Sequence, residues 1–312
     1  MRIQKCGETR FGLLALNSLL ISFAACTQQP ANVQTKPLAS VSNLAALVAL
    51  PADSLKQLDM AQMNLICVEG LPGAEHLDIS SSLAIIDQMA TRVRSETERH
   101  TYRFQKNPVE FENSEGFFRM MMLMVVLVED FKVHYAPNKM ANATSATMGD
   151  GFFADSQDVF LHGLTGTNRQ GTCSSLPVLY AAVGRRLSYP LKLVTTKGHL
   201  FVRWEDSKER FNFEAAGQGA NRFADDYYRH WPLEVSDTEI QADGHLKSLS
   251  PAEELAVFLS IRGMCLVEAA KFREAADSFR AATKLAPGCA SYRTMANELE
   301  HKATLSRIEK IL

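Results

Sequence analysis

The chain has 312 residues, 46% of them hydrophobic and 22% charged, enough apolar mass to fold as one large globular domain or two smaller ones. Its 33 lysines and arginines stand against 35 aspartates and glutamates, a net charge of −2 with both signs interspersed. That pattern excludes a nucleic-acid binder working through a basic face, so no nucleic-acid partner is expected.

Arg2, Lys5 and Arg10 precede an apolar run from Phe11 to Phe23, the layout of an export signal. The run is short and interrupted by Asn17 and Ser18, which does not suit a membrane-spanning helix. It ends in Ala24 and Ala25 directly before Cys26. This resembles a bacterial lipobox, in which the cysteine is lipidated and becomes the first residue of the mature chain. Phe23 stands where an aliphatic residue is usual, and an ordinary cleaved signal with an incidental cysteine is the alternative. On the lipobox reading, residues 1–25 are a signal peptide and residues 26–42, rich in Gln, Pro, Asn, Thr and Ser, a flexible tether. The protein is then a periplasm-facing lipoprotein of a bacterial envelope, associated with the membrane through Cys26.

Ordered structure is expected from LAALVAL and the segment after Pro51. Between residues 78 and 100, Leu83, Ile86, Ala90 and Val93 share one helix face, with Asp78 or Ser80 as a cap. EGFFRMMMLMVVLVEDF, residues 115–131, is apolar nearly all round and reads as a buried helix whose methionines fill core gaps. Gly, Asn, Asp and Pro mark residues 136–172 as loops, with DVFLHGL as an ordered segment within them. A helix over Ser174–Leu187 and three alternating strands, LKLVTT, HLFVRW and RFNFE, complete an α+β domain over residues 43–245. The aromatic run FADDYYRHW, residues 223–231, is expected to pack between this domain and the helices that follow, with the lining of a cleft next to EAAGQG as the alternative.

Residues 250–312 turn helical again. Gly263, Ala275, Phe279, Ala282 and Pro287 fall at the offsets of one tetratricopeptide repeat over residues 256–289, followed by another helix. Leu259 occupies the place of the bulky aromatic near the repeat's start, so a plain helical hairpin is the alternative.

Apart from Cys6 and Cys26, the cysteines are Cys67, Cys173, Cys265 and Cys289, with neither a CxxC pair nor a zinc spacing. The histidines outside the strands, His76, His100, His134, His162, His230, His245 and His301, also lack ligand spacing, and neither metal nor cofactor is expected. Cys173 stands apart because it opens a helix, where unpaired N–H groups and the helix dipole favour a thiolate. Gly171 and Thr172 let the chain turn in, Ser174 and Ser175 suit the first turn, and Pro177 is tolerated there. His199 follows Gly198 at the start of HLFVRW, on one face with Phe201 and Arg203. A hairpin to RFNFE with Asp206 and Ser207 at its tip, or with a four-residue loop from Glu205 to Lys208, places His199 directly opposite Glu214 and Phe201 opposite Asn212, so Asn212 would reach the histidine only diagonally. Glu214 is therefore preferred over Asn212 as the group that orients the imidazole.

A cysteine at a helix start, then Gly-His opening a strand, then an acidic residue ending the next strand is similar to the transglutaminase-like superfamily of papain-like thiol enzymes. RQGTC, GRRLSYPLKLV and EAAGQG carry the resemblance, which spans residues 60–310 and is closest to the SirB-type bacterial branch, whose core precedes tetratricopeptide-like helices. The resemblance implies Cys173 as nucleophile, His199 as general base and acid, and Glu214 as orienting group. It departs in Ser174, where an aromatic residue commonly follows the nucleophile, and in a glutamate replacing aspartate. The backbone N–H of Cys173 and the side chain of Gln170 are the candidate oxyanion donors. The implied activity is acyl transfer from a peptide or isopeptide amide through a thioester, with hydrolysis favoured because nothing specifies an amine site. The alternative is a noncatalytic scaffold that engages a protein partner through its helical tail.

Overall fold

The computed structural model describes residues 41–142, 151–216 and 222–309. The signal segment, Cys26, all but the last residues of the tether, the GQG of residues 217–219 and the chain's last residues lie outside the described residues.

Three short helices open the fold: α1 (Leu44–Val48), α2 (Ala52–Leu55) and α3 (Met60–Ile66). Asn43 caps the first and Asp59 the third, each accepting from a backbone N–H two or three residues on. The long helix α4 (Ile79–Lys106) starts at Asp78, whose carboxylate accepts from Ser81 N at 3.1 Å. Ile86, Met89, Ala90 and Val93 are its buried stripe. It runs past His100 because nothing breaks the helix before Asn107 and Pro108, which open a 3₁₀ turn.

Helix α5 (Glu115–Val125), capped by Ser114, passes into a π-helical turn over Val126–Asp130. Met120 and Leu123 are fully buried and Met122 nearly so. Val125 and Val128, however, are each 41% exposed, so the segment is not buried on every side as its composition suggests. Helix α4 and the later helix over Leu176–Arg186 pack against this segment, and the two valines stay in solvent. DVFLHGL is ordered as parts of two helical turns, α6 (Ser156–Val159) and α7 (Leu161–Thr165), separated by extended Phe160.

Strands β1 (His134–Tyr135) and β2 (Gln170–Gly171) form a short parallel pair. Helix α8 (Leu176–Arg186) follows, then an antiparallel sheet in sequential order: β3 (Leu191–Thr196), β4 (His199–Glu205), β5 (Arg210–Phe213) and β6 (Arg222–Phe223). Helix α8 packs on α4 on one side and on β3 and β4 on the other, which gives the α+β architecture. Along the free edge of β3 run residues 246–249, with Leu246 N donating to Thr195 O and Leu249 N to Leu193 O.

The hairpin register differs from the expected one. Arg203 faces Asn212 and Glu205 faces Arg210, a displacement of two residues. Asp206 is the cause: its carboxylate accepts from Lys208 N at 2.7 Å, Glu209 N at 2.9 Å and Trp204 Nε1 at 2.9 Å. These bonds close the loop over residues 206–209, one position later than a turn at Asp206–Ser207 or a loop over 205–208 would.

Helix α9 (Asp225–His230) carries the aromatic run, and that run packs elsewhere than between domain and tail. Tyr228 stacks flat on Phe201 with ring centroids 3.7 Å apart, and Phe223, Tyr227 and Trp231 complete a cluster on this face of the sheet. What pins it there is Arg203, almost fully buried, which bonds Asp225 at 2.6 Å, Asn212 Oδ1 at 2.8 Å and the carbonyl of Leu246 at 3.2 Å.

After α10 (Asp237–Asp243) come three long helices, α11 (Pro251–Glu268), α12 (Phe272–Leu285) and α13 (Ala290–Glu309). A Cβ on Gly263 would stand 2.5 Å from the Phe279 ring, which explains the small residue where α11 crosses α12. Helix α11 is seated on the core by a forked ion pair from Arg185 to buried Glu254 and by Arg262 Nη1, which donates to the carbonyls of Cys67 and Glu69. Among the described residues no helix is long and apolar enough to cross a membrane.

Removing one partner of the Arg203 network tests how much it supports. Asp225→Ala leaves the guanidinium buried with one carboxylate fewer. It is expected to cost about 2–3 kcal/mol, below the usual range for a fully buried pair because the Asp225 side chain is 32% exposed. A shift in the urea midpoint at unchanged slope is the measurement.

Candidate functional site

Cys173 lies in the turn that leads into α8. Helical hydrogen bonding begins at the Thr172 carbonyl, which accepts from Leu176 N at 2.9 Å, so the thiol stands within the first turn although the helix proper starts at Leu176. The turn is bolted to Asp158, whose backbone carbonyl accepts from the Thr172 hydroxyl at 3.0 Å and the Ser175 hydroxyl at 3.1 Å. Ser175 Oγ accepts in return from Thr172 N at 3.0 Å. The Asp158 carboxylate meets Lys139 Nζ at 3.3 Å and accepts from the Gln170 amide at 3.2 Å. Because Asp158, Thr172 and Ser175 are buried, water cannot compete for these bonds and the position of the thiol is fixed.

His199 opens β4 after Gly198, whose φ of +71° turns the chain between β3 and β4. Its Nε2 lies 2.8 Å from Glu214 Oε2. The imidazole sits edge-on to Trp231, with centroids 4.7 Å apart, and nearly parallel to Tyr228 at 6.1 Å. With Nε2 engaged by the carboxylate, Nδ1 is the nitrogen left for Cys173, whose thiol also interacts with the ring.

Glu214 follows β5 and is 4% exposed, against 7% for His199 and 5% for Cys173. Continuing the observed register puts Glu214 across from Phe201, diagonal to His199 rather than opposite it. Diagonal neighbours are about 7–8 Å apart at the backbone, a span suited to the extra methylene of glutamate over aspartate. The carboxylate also accepts from Tyr228 Oη at 3.2 Å and Ala216 N at 2.8 Å, so both of its oxygens are occupied.

The electrostatics follow from this burial. Loss of water works against a charged imidazole, but the Glu214 carboxylate and Cys173 together outweigh it and push the His199 pKa up to about 10. A protonated ring beside the sulfur gives a thiolate its counter-charge. Burial, and then the Glu214 charge, push the Tyr180 and Tyr228 hydroxyls up, keeping both protonated. Burial pushes Cys67 and Cys265 to about 12 and Cys289 to about 11.

Of the residues singled out in the sequence, Cys173, His199 and Glu214 come together, whereas Gln170 and Asn212 do not join them. The Gln170 amide is engaged by Asp158, and Asn212 is held by Arg203, the Phe223 carbonyl and Asp225. One neighbour carries no signal in the sequence at all. Tyr135, placed beside the cysteine loop by the β1–β2 pair, turns a buried hydroxyl toward the thiol and amide of Cys173 without reaching hydrogen-bond geometry. Tyr228 and Trp231 stand out only as part of an aromatic run. Among the described residues no group of three or more His, Cys, Asp or Glu side chains is placed to hold a metal ion. A cavity of about 450 Å³ opens from Cys173 and His199.

The chain matches no family model, no curated protein and no solved structure.

The raised imidazole pKa has a stability consequence. Stabilisation from the charged ring is complete below the ordinary histidine value of 6.5 and is lost as the pH climbs through about 10. Wild-type protein should therefore lose more unfolding free energy between neutral pH and pH 10 than Glu214→Gln, in which the ring lacks its carboxylate. Parallel urea titrations across that window make the comparison, and equal losses would contradict the ion pair.

Proposed function

We propose that the protein is an exported transglutaminase-like thiol enzyme that cleaves or transfers an acyl group from a peptide or isopeptide amide. The observation that carries this reading is a buried cysteine at a helix entry facing an imidazole that is held on its far side by a carboxylate. The Cys173 thiolate attacks the amide carbonyl, the C–S bond forms, and the negative oxygen is met by donors near the cysteine. The backbone N–H of Cys173 and the unpaired Tyr135 hydroxyl are the candidates for that role. As the C–N bond breaks, protonated His199 gives its Nδ1 proton to the leaving amine. The neutral ring then takes a proton from water, or from a second amine, as that nucleophile attacks the thioester. A carboxylic acid or a new amide leaves, and the thiolate is restored beside the protonated ring.

The export and anchoring part of the reading rests on the basic, apolar and small-residue order of residues 1–26. Intact mass of membrane-extracted protein tests it: the expected mature chain begins at an acylated Cys26, and a start elsewhere rejects the anchor.

A second reading, a noncatalytic scaffold that meets a partner through its helical tail, is favoured by Leu305 and Ile308, which α13 exposes one turn apart. Thiol reactivity separates the two. At neutral pH iodoacetamide should label Cys173 at least about ten-fold faster than Cys67, Cys265 or Cys289, as a thiolate supported by a neighbouring cation requires. His199→Ala should remove that advantage. Labelling of Cys173 no faster than the other three, and indifferent to His199, would sink the enzyme reading.

A further inference from the structure

The cavity beside Cys173 and His199 is built from parts that the catalytic trio does not use. The two reactive side chains share its lining with a wall contributed by the C-terminal helices. Val257, Ile261 and Met264 project from α11, Phe279 from α12 and Met295 from α13, while Phe153 is added from the loop before α6. At about 450 Å³ the cavity lies within the range of small-ligand pockets, large enough for a bulky side chain together with the adjoining backbone.

The charged groups around it are already engaged. Lys197 bonds Glu239 at 2.5 Å, and Glu239 also accepts from Ser236 N and Oγ to cap α10. Asp243 is taken up by Ser291, accepting from its backbone N at 2.9 Å and its hydroxyl at 2.6 Å. His245 lies 4.0 Å from Asp243, and burial lowers its pKa, which keeps it neutral at neutral pH. Among the described lining residues no charge outside Cys173 and His199 is left without a partner, and the remaining surface is mainly thioether, aromatic and aliphatic, with the hydroxyls of Ser174, Thr195, Thr196, Ser260 and Ser291 as its neutral polar groups.

We propose that this cavity is the acyl-donor pocket and that it selects substrates whose acyl residue carries a bulky apolar side chain. The helical tail then determines specificity, with α11, α12 and α13 supplying the surface that reads the substrate. Met264 and Met295, both half-buried, line that wall and suit it through their flexible, polarizable side chains. A substrate carbonyl held over Cys173 places the side chain of its own residue against this wall, and a charged side chain there would lose water without gaining a partner.

The inference rests on the acyl-transfer reading, and its test keeps the two apart. Full-length protein is treated with benzyloxycarbonyl-capped chloromethyl ketones of Phe, Gly, Lys and Glu. The thiolate displaces chloride and forms a C–S bond, and labelling of Cys173 is followed by mass spectrometry relative to iodoacetamide. The Phe reagent is expected to label Cys173 at least about ten-fold faster than the Gly reagent, with Lys and Glu no faster than Gly. Met264→Gln and Met295→Gln, close in size to the natural residues, should each cut the Phe-to-Gly ratio at least about three-fold, with iodoacetamide labelling and the melting curve unchanged. Rapid iodoacetamide labelling of Cys173 without a Phe preference, or with preference for a charged reagent, overturns the pocket and spares the nucleophile. Failure of iodoacetamide to single out Cys173 overturns both. If a variant does not fold, the wild-type reagent series still decides.

Discussion

The contact between His199 and Glu214 is the constraint around which this side of the protein is arranged. An imidazolium and a carboxylate, both nearly excluded from water, lose several kcal/mol of hydration each, and their attraction repays this only when the remaining polar atoms are also satisfied. Ala216 N and the Tyr228 hydroxyl supply what the carboxylate lacks. Tyr228 needs a fixed helix, and α9 is fixed twice: Thr196 Oγ1 donates to the Tyr228 carbonyl at 2.7 Å, and Asp225 pairs with Arg203. Arg203 is itself a buried charge, whose other donors hold residues 246–249 on the edge of β3. One buried ion pair thus requires a second, and between them they account for the placement of α9, the aromatic cluster and the strand-edge segment.

The trio was legible in the sequence even though the hairpin register was not. Side chains alternate across a strand with a period of two, so a displacement of two residues leaves His199, Phe201 and Arg203 on the same face as Asn212 and Glu214. A displacement of one would have sent the glutamate to the opposite side. Asp206 produced the observed register by accepting from two N–H groups and the Trp204 indole, a local pattern compatible with several turn lengths on paper. The resulting diagonal also gives the glutamate a physical role, since the longer side chain covers the added distance.

What the sequence concealed is mostly long-range polar pairing. Gln170 stands three residues before the cysteine, which made it a candidate donor to the substrate oxygen, yet its amide belongs to Asp158 in a different helical turn. Lys139 reaches that same carboxylate from farther up the chain, in a stretch with no motif to mark it. Tyr135 approaches Cys173 only because two short strands pair in parallel. None of these partners shares a periodicity with the residue it meets. The methionine- and valine-rich helix failed for a different reason: composition reports how apolar a segment is, while exposure of Val125 and Val128 depends on where its neighbours stop covering it.

Helix α8 connects the site to the tail. At 11 residues it is about 16 Å long, with Cys173 in the hydrogen-bonded turn that enters it and Arg185 in its last turn. Arg185 binds three things at once: the Leu191 carbonyl where β3 begins, Met60 Sδ on α3 and both oxygens of Glu254 on α11. Glu254 is 1% exposed, so a rearrangement that withdrew Arg185 would strand a buried carboxylate, a large penalty compared with that of moving an exposed charge. The same helix that presents the thiol therefore fixes the start of α11, and α11 carries Val257, Ile261 and Met264 to the cavity one turn apart. Arg262, bonded to the end of α3, keeps the middle of α11 from rolling. Thiol and apolar wall are in this way held in one frame, so that, on the proposed acyl-transfer reading, a side chain accepted by the tail would determine which carbonyl arrives over Cys173.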